Sequence, residues 1–342
     1  MTGAGPDGSL LLDVKDLSIS FPSRNGMVRA VNQFRMSIGH RERVGLVGES
    51  GSGKTVTALS ILQLLPTATV EGEIWFDGVD LLKSPADHVR GIRGRQVGYV
   101  FQDPLSALNP VQTIGAQLME PLRIRGVPRK EAFERAASLL DRVGLNNPRE
   151  RMKAHPHEFS GGMRQRVIIA MALIAEPKLI IADEPTTALD VRVQAKVLDL
   201  LVELAEERQV AILLITHDLG ILAGFVQRVV VMYAGRAVEK CSIQEMYHRS
   251  IHPYTIGLLG SVPRLDGEIP IKLATIGGQP ASALRVPSGC PFHPRCLLAS
   301  DRCREDEPLL TTPPGGQHAS ACHRAGELAL NPGVLPEPVV AR

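Results

Sequence analysis

Gly48-Glu49-Ser50-Gly51-Ser52-Gly53-Lys54-Thr55 decides the fold of this chain. It meets the pattern GxxxxGK[ST] at every specified position. Glycines let the backbone curl so that its N–H groups converge on phosphate oxygens. A helix beginning near Gly53 adds its positive end at the same place. Lys54 is then set to reach the β- and γ-phosphates, and the Thr55 hydroxyl to ligate Mg2+. The alternative is a glycine-rich turn that matches by accident, and context argues against it. Val44-Gly45-Leu46-Val47 reads as a short apolar strand running into the loop. Thr55 to Leu65 reads as a helix stopped by Pro66.

Outward from the loop, strand and helix patterns alternate. Leu17, Ile19 and Phe21 alternate as in a strand, and Glu73 to Phe76 runs into the turn pair Asp77-Gly78. Glu131 to Val143 has helical periodicity and ends at Gly144, and Met163 to Ala175 is a helix closed by Pro177. Leu179 to Ala182, Ala211 to Ile215 and Val229 to Tyr233 read as buried strands. This order predicts an α/β fold with a mainly parallel sheet.

Two further segments carry chemistry. Leu179-Ile180-Ile181-Ala182-Asp183-Glu184 is an apolar strand ending in two carboxylates. Asp183 at the strand end is placed for the Mg2+ shell, and Glu184 is free to polarise a water. Phe159-Ser160-Gly161-Gly162-Met163 precedes a helix. Its hydroxyl and bare N–H groups make a second anion site, or a simple N-cap. One ATP needs one cradle, so a second one makes sense if it closes over ATP held by a partner chain.

Composition bounds the function. The 342 residues carry 38 Lys and Arg against 36 Asp and Glu, a net charge of +2. That balance gives no case for a nucleic-acid-coating protein. The longest apolar run, Val167 to Ala175, is far short of the ~20 residues that cross a bilayer. Residues 1–12 lack a secretory signal pattern, so a cytosolic protein is expected. Disulfides are then unexpected. Arg90, Arg93 and Arg95 read as a basic solvated loop, or as a lipid or partner contact.

Near residue 262 the composition shifts. Residues 263–342 hold 12 of the 25 prolines, four of the five cysteines and one aromatic, Phe292. Such a segment is core-poor, so it is either loose or stapled by something other than packing. Cys290, Cys296, Cys303 and Cys322 follow C-x5-C-x6-C-x18-C. Metal ligation can replace missing packing energy. Zinc ribbons usually have tighter cysteine pairs; the wider gaps suit a [4Fe–4S] cluster better, and four free thiols are a third reading. His293 and His323 are alternative ligands or surface histidines, and Cys241 is expected to be an ordinary buried thiol.

Taken together, residues 10–260 resemble the nucleotide-binding subunit of ABC transporters. The resemblance also covers Gln102 in Val100-Phe101-Gln102-Asp103-Pro104, a D-loop at Ala188-Leu189-Asp190, and His217 in Thr216-His217-Asp218. It implies a P-loop ABC-type domain over residues 1–262. That domain has a RecA-like core, an antiparallel β subdomain and a helical subdomain near 103–165. A small cysteine-containing extension, 263–342, follows. Gly48, Ser50, Gly51, Gly53, Lys54 and Thr55 would surround ATP, with Thr55, Asp183 and Gln102 around Mg2+. Glu184 would be the general base or water polariser, and Gln102 and His217 would read the γ-phosphate. Ser160, Gly161, Gly162 and Asp190 would belong to the nucleotide sandwich with the opposing subunit. Phe21 would stack on adenine, or is a core strand residue.

The likeness narrows to one branch. Phe101 to Pro110 (FQDPLSALNP), Phe159 to Val167 (FSGGMRQRV), Asp183 to Asp190 (DEPTTALD) and His252-Pro253-Tyr254-Thr255 resemble dipeptide, oligopeptide and nickel importers. Met163 and Phe159 depart from the general signature, which carries Gln and Leu there, and that leaves open how equal the two composite ATP sites are. The branch implies a [4Fe–4S] cluster on the four cysteines. It implies a second, paralogous ATPase subunit, two transmembrane permeases and an extracytoplasmic binding protein. The chain would sit peripherally on the cytoplasmic face of the membrane, its helical subdomain and Gln102 segment facing the permeases. A soluble ABC ATPase acting on nucleic acid or ribosomes is the alternative. It usually carries two cassettes or a long coiled-coil insertion, and this chain has one P-loop and no such insertion.

Overall fold

A computed structural model describes residues 10–24, 26–186, 191–261, 276–312 and 317–330. Ala188-Leu189-Asp190 and the boundary between 262 and 263 lie outside these residues. The strands are β1 (Leu10–Ser23), β2 (Gly26–Gly39), β3 (Arg43–Val47), β4 (Thr69–Phe76), β5 (Val79–Asp80), β6 (Val97–Val100), β7 (Leu179–Asp183), β8 (Ala211–Thr216), β9 (Arg228–Tyr233), β10 (Arg236–Ser242) and β11 (Ala319–Ser320). They form an antiparallel sheet in the order β2-β1-β4-β5 and a larger sheet in the order β11-β10-β9-β3-β8-β7-β6. The larger sheet is parallel from β9 to β6. Antiparallel β10 and β11 extend it at one edge. β7 and β8 are buried along their whole length, which is why they read as unbroken apolar runs.

The phosphate loop leads from β3 into α1 (Lys54–Ile61), and α2 (Ala86–Ile92) follows β5. Between β6 and β7 stand α3 (Pro104–Ala107), α4 (Ile114–Ile124), α5 (Arg129–Arg142), α6 (Pro148–Arg151) and α7 (Gly161–Leu173). Their apolar residues pack together with the inner face of the parallel sheet. α8 (Val191–Arg208) precedes β8. Then come α9 (Ile243–Arg249), α10 (Pro253–Gly260), α11 (Asp301–Glu305) and α12 (Ala325–Leu330).

Two sequence expectations change. α1 stops at Ile61 and not at Leu65, because Gln63 turns left-handed at φ 50° before Pro66 is reached. Arg93 accounts for part of this: its Nε donates to Leu62 O at 2.7 Å and its Nη2 to Gln63 O at 3.0 Å. Arg93 therefore caps the helix end and does not belong to a solvated loop, whereas Arg90 pairs with Asp87 on the surface.

The C-terminal extension is not loose where it is described. Its single aromatic, Phe292, is buried against Tyr233 and Tyr254, each with ring centroids 5.3 Å away. The segment borrows aromatic partners from the body, so packing does part of the stapling. β11 adds a second attachment. His318 Nε2 lies 2.6 Å from the buried Glu239 Oε1, and Cys241 stands close to both. Cys241 is buried as expected, but among polar neighbours, and burial next to Glu239 raises its thiol pKa.

Candidate active site

The loop Gly48–Thr55 lies at the carboxyl end of β3, where the parallel sheet opens. Close approach explains two of its glycines. A Cβ on Gly48 would meet Met232 O at 2.1 Å, and one on Gly53 would meet Ala30 O at 2.8 Å. Both also have positive φ, 153° and 105°, a backbone conformation that side-chain-bearing residues rarely adopt. Gly51 also turns left-handed, at φ 79°, while Ser50 is exposed. Lys54 is buried, and its ammonium donates to Gly48 O at 2.8 Å and Glu49 O at 2.9 Å. Burial lowers its pKa, against the opposing pull of the Glu184, Asp183 and Glu49 carboxylates.

Thr55 and Asp183 meet across the loop, with Thr55 Oγ1 donating to Asp183 Oδ1 at 3.2 Å. A hydroxyl and a carboxylate at this spacing are hard oxygen donors that fit Mg2+. Tyr99, at the end of β6, donates its hydroxyl to Asp183 Oδ2 at 2.9 Å. Burial raises the Asp183 pKa, and the Tyr99 and Thr55 hydrogen bonds work against it. Sequence reading missed Tyr99; its only signal is its place three residues before Gln102.

Glu184 leaves β7 with a left-handed φ of 45°, a strained backbone for this residue. Gln102 Nε2 donates to Glu184 Oε2 at 2.9 Å, and His217 Nδ1 lies 3.0 Å from Glu184 Oε1. Two expected site residues, from the loops after β6 and β8, therefore converge on the carboxylate of a third. Gln102 is exposed and reaches Glu184, with Asp183 adjoining in sequence.

Elsewhere the expected residues are dispersed. Ser160 caps α7 through its hydroxyl, which accepts from Met163 N at 3.4 Å. Ser160 and Gly161 are exposed, and a Cβ placed on Gly161 would meet nothing within 4 Å beyond its chain neighbours and its own helix backbone. Phe21 is half-buried against the core of the antiparallel sheet. It faces Val28 on β2, the strand whose Ala30 and Val31 border Gly53. Asp190 lies outside the described residues.

Cys290, Cys296, Cys303 and Cys322 line one cavity with His252, Phe292, His293 and His323. Burial pushes Cys290 up to about 11 and Cys322 up to about 12, and raises Cys296 as well. In each of these three, the backbone N–H two residues on points at the sulfur and works against that rise. His293 Nδ1 and His323 Nε2 each lie 3.0 Å from a backbone carbonyl, Cys290 O and Asp306 O.

The family of this chain follows from comparison with known proteins. The ABC transporter family model matches residues 31–187. The model for the oligopeptide/dipeptide transporter C-terminal region matches residues 238–303. The oligopeptide transport ATP-binding protein OppD of Salmonella typhimurium is 48% identical over 96% of this chain and 98% of its own length. OppD of Escherichia coli is 48% identical over 94% and 95%. A dimeric ATP-binding cassette solved in a post-hydrolysis state with ADP and Pi superposes with a TM-score of 0.60. That match is 30% identical and covers 68% of this chain and 98% of the cassette. The chain belongs to the family of ABC transporter ATP-binding proteins, in the branch that carries the oligopeptide/dipeptide transporter C-terminal region.

Proposed function

We propose that this chain is the ATP-hydrolysing subunit of an ABC importer that takes up peptides through separate membrane permeases. One observation carries the reading. Thr55, Asp183 and Lys54 gather at the mouth of the loop, with Glu184 next to Asp183 and tied to Gln102 and His217. The chain is a close relative of OppD proteins over nearly its whole length.

In this reading Gly48, Ser50, Gly51 and Gly53 cradle the phosphates, and Lys54 moves from the loop carbonyls to the β/γ-phosphates. Thr55 and Asp183, with Gln102, hold Mg2+, which neutralises charge on the phosphates when bound. Glu184 orients and polarises the attacking water. Gln102 and His217 sense the γ-phosphate, and a sensor drawn toward the phosphate frees a Glu184 oxygen for water. Ser160, Gly161, Gly162 and Asp190 close over ATP on the opposing subunit, and Phe21 stacks on adenine.

The ATPase region spans 1–262, with a helical subdomain near 103–165 beside the permeases, and the extension spans 263–342. The four cysteines hold a [4Fe–4S] cluster. The i+2 N–H groups aimed at three of the sulfurs suit thiolates that ligate a metal. The partner ATPase is a paralogous chain, and an extracytoplasmic binding protein delivers the cargo. The assembly lies on the cytoplasmic face of the membrane. No helix among the described residues is long and apolar enough to cross it.

The test is a pull-down of the tagged chain from mild-detergent membranes without oxygen. Two permeases and a second ATPase in the eluate, with iron and acid-labile sulfide, are expected. A soluble chain that brings down nucleic acid or ribosomal proteins overturns the transport reading. A colourless sample without iron overturns the cluster alone.

A further inference from the structure

Glu49 is the second residue of the phosphate loop, yet its side chain is claimed by the far end of the chain. Arg295 Nη1 binds Glu49 Oε2 at 2.6 Å, and Nη2 binds Oε1 at 2.9 Å. The Arg295 side chain is 4% exposed and the Glu49 side chain 25%, so this is a bidentate pair that is buried on the arginine side and partly open on the glutamate side. The guanidinium is itself fixed. Its Nε donates to Gly277 O at 3.0 Å, and it lies 5.9 Å from the ring centroids of both Tyr233 and Phe292. The Glu49 N–H donates to the Tyr254 hydroxyl at 2.8 Å. Side chain and backbone of one loop residue are thus both held from outside the loop.

Glu49 also stands beside the group that must meet the nucleotide. Its carbonyl accepts from Lys54 Nζ at 2.9 Å and from Ser52 N at 3.2 Å. Its carboxylate acts electrostatically on the Lys54 ammonium. A bare carboxylate there repels the ATP phosphates, and the low dielectric of a partly buried site strengthens that repulsion. We propose that Arg295 of the C-terminal extension is a positioning residue for ATP binding, acting through Glu49 by cancelling its charge at the phosphate loop.

This rests on the nucleotide reading of the loop, and it adds a dependence of that loop on the extension. Arg295 belongs to the short turn His293–Arg295, set between Cys290 and Cys296. The cysteine-bearing segment and the ATP cradle therefore share one ion pair.

A plain staple predicts something different from charge cancellation. Breaking a staple from either side costs the same, whereas the two sides of a charge pair act oppositely on an anion. The experiment titrates a fluorescent ATP analogue into the full-length chain as wild type, R295Q, E49Q, R295K and the E49Q/R295Q double variant. R295Q is expected to weaken binding several-fold, with the loss shrinking at high salt. E49Q is expected to bind at least as well as wild type, and E49Q/R295Q to recover affinity relative to R295Q. R295K, which keeps the charge, is expected to lie near wild type. In turnover assays R295Q should raise KM with kcat unchanged. Wild-type affinity in R295Q, equal losses in R295Q and E49Q, or no recovery in the double variant overturns the proposal. Where R295Q does not fold, E49Q against wild type decides: weaker binding by E49Q overturns it. A wild-type chain that fails to bind the analogue overturns the nucleotide reading instead.

Discussion

His217 Nδ1 and Glu184 Oε1 stand 3.0 Å apart at the carboxyl ends of adjacent strands. Gln102 occupies the other carboxylate oxygen, so the expected base and both expected sensors form one hydrogen-bonded group.

Glu184→Gln should therefore keep ATP binding and lose turnover. The amide preserves size and hydrogen bonding but cannot take a proton. A general base contributes about 100-fold or more, so hydrolysis should fall by at least that factor. With the partner ATPase chain present, ATP should then trap a closed dimer, visible by size-exclusion chromatography. Hydrolysis at the wild-type rate would remove Glu184 from the role of base.

Lys54→Ala removes the buried ammonium that the loop carbonyls hold ready. Charge-assisted hydrogen bonds contribute about 1.5–3 kcal/mol, so nucleotide affinity should drop roughly 10- to 100-fold. Calorimetric titration checks it, and unchanged affinity would refute the cradle assignment.

Tyr99→Phe tests a residue that no motif flagged. Its hydroxyl favours the ionised form of Asp183, whose pKa burial already raises. Loss of that hydrogen bond raises the pKa further. The carboxyl then holds its proton more firmly as pH falls, and Mg2+ must displace it. The Mg2+ concentration for half-maximal ATPase should therefore rise more at the lower of two assay pH values than at the higher. An equal shift at both pH values would mean that Tyr99 does not act through the Asp183 proton.

Two substitutions separate packing from metal in the extension. Phe292→Ala removes a buried ring, a change that typically costs about 3–5 kcal/mol. It should expose 276–312 to protease whether or not metal is present. Cys296→Ser should do so only by removing metal, so anaerobic reconstitution with iron and sulfide should protect the wild type and not the serine variant. Identical digestion of wild type and Cys296→Ser would count against a metal staple.

Much of the site was legible because its signals are local. Eight consecutive residues make the cradle, and Asp183 and Glu184 close an apolar strand that announces itself by its run of Leu, Ile and Ala. The strands of the parallel sheet were legible for the same reason, being buried on both faces. Arg93 was misread because a basic run looks solvated, and nothing local says that one arginine turns back onto the carbonyls of Leu62 and Gln63. The extension was read as core-poor from its own composition, which omits the rings of Tyr233 and Tyr254 that it packs against.

By itself, then, the order of residues determined the chemistry of the phosphate loop, the α/β scaffold and the branch of the family. These follow from glycine conformations, strand and helix periodicity and short spacings, which act over a few residues. Tertiary structure alone decided that Tyr99 tunes Asp183, that Gln102 and His217 meet on Glu184, and that Arg295 reaches Glu49. Each of those pairs joins residue types common on any surface across 33 to 246 positions. Only folding brings them into hydrogen-bonding distance, and no periodicity marks them beforehand.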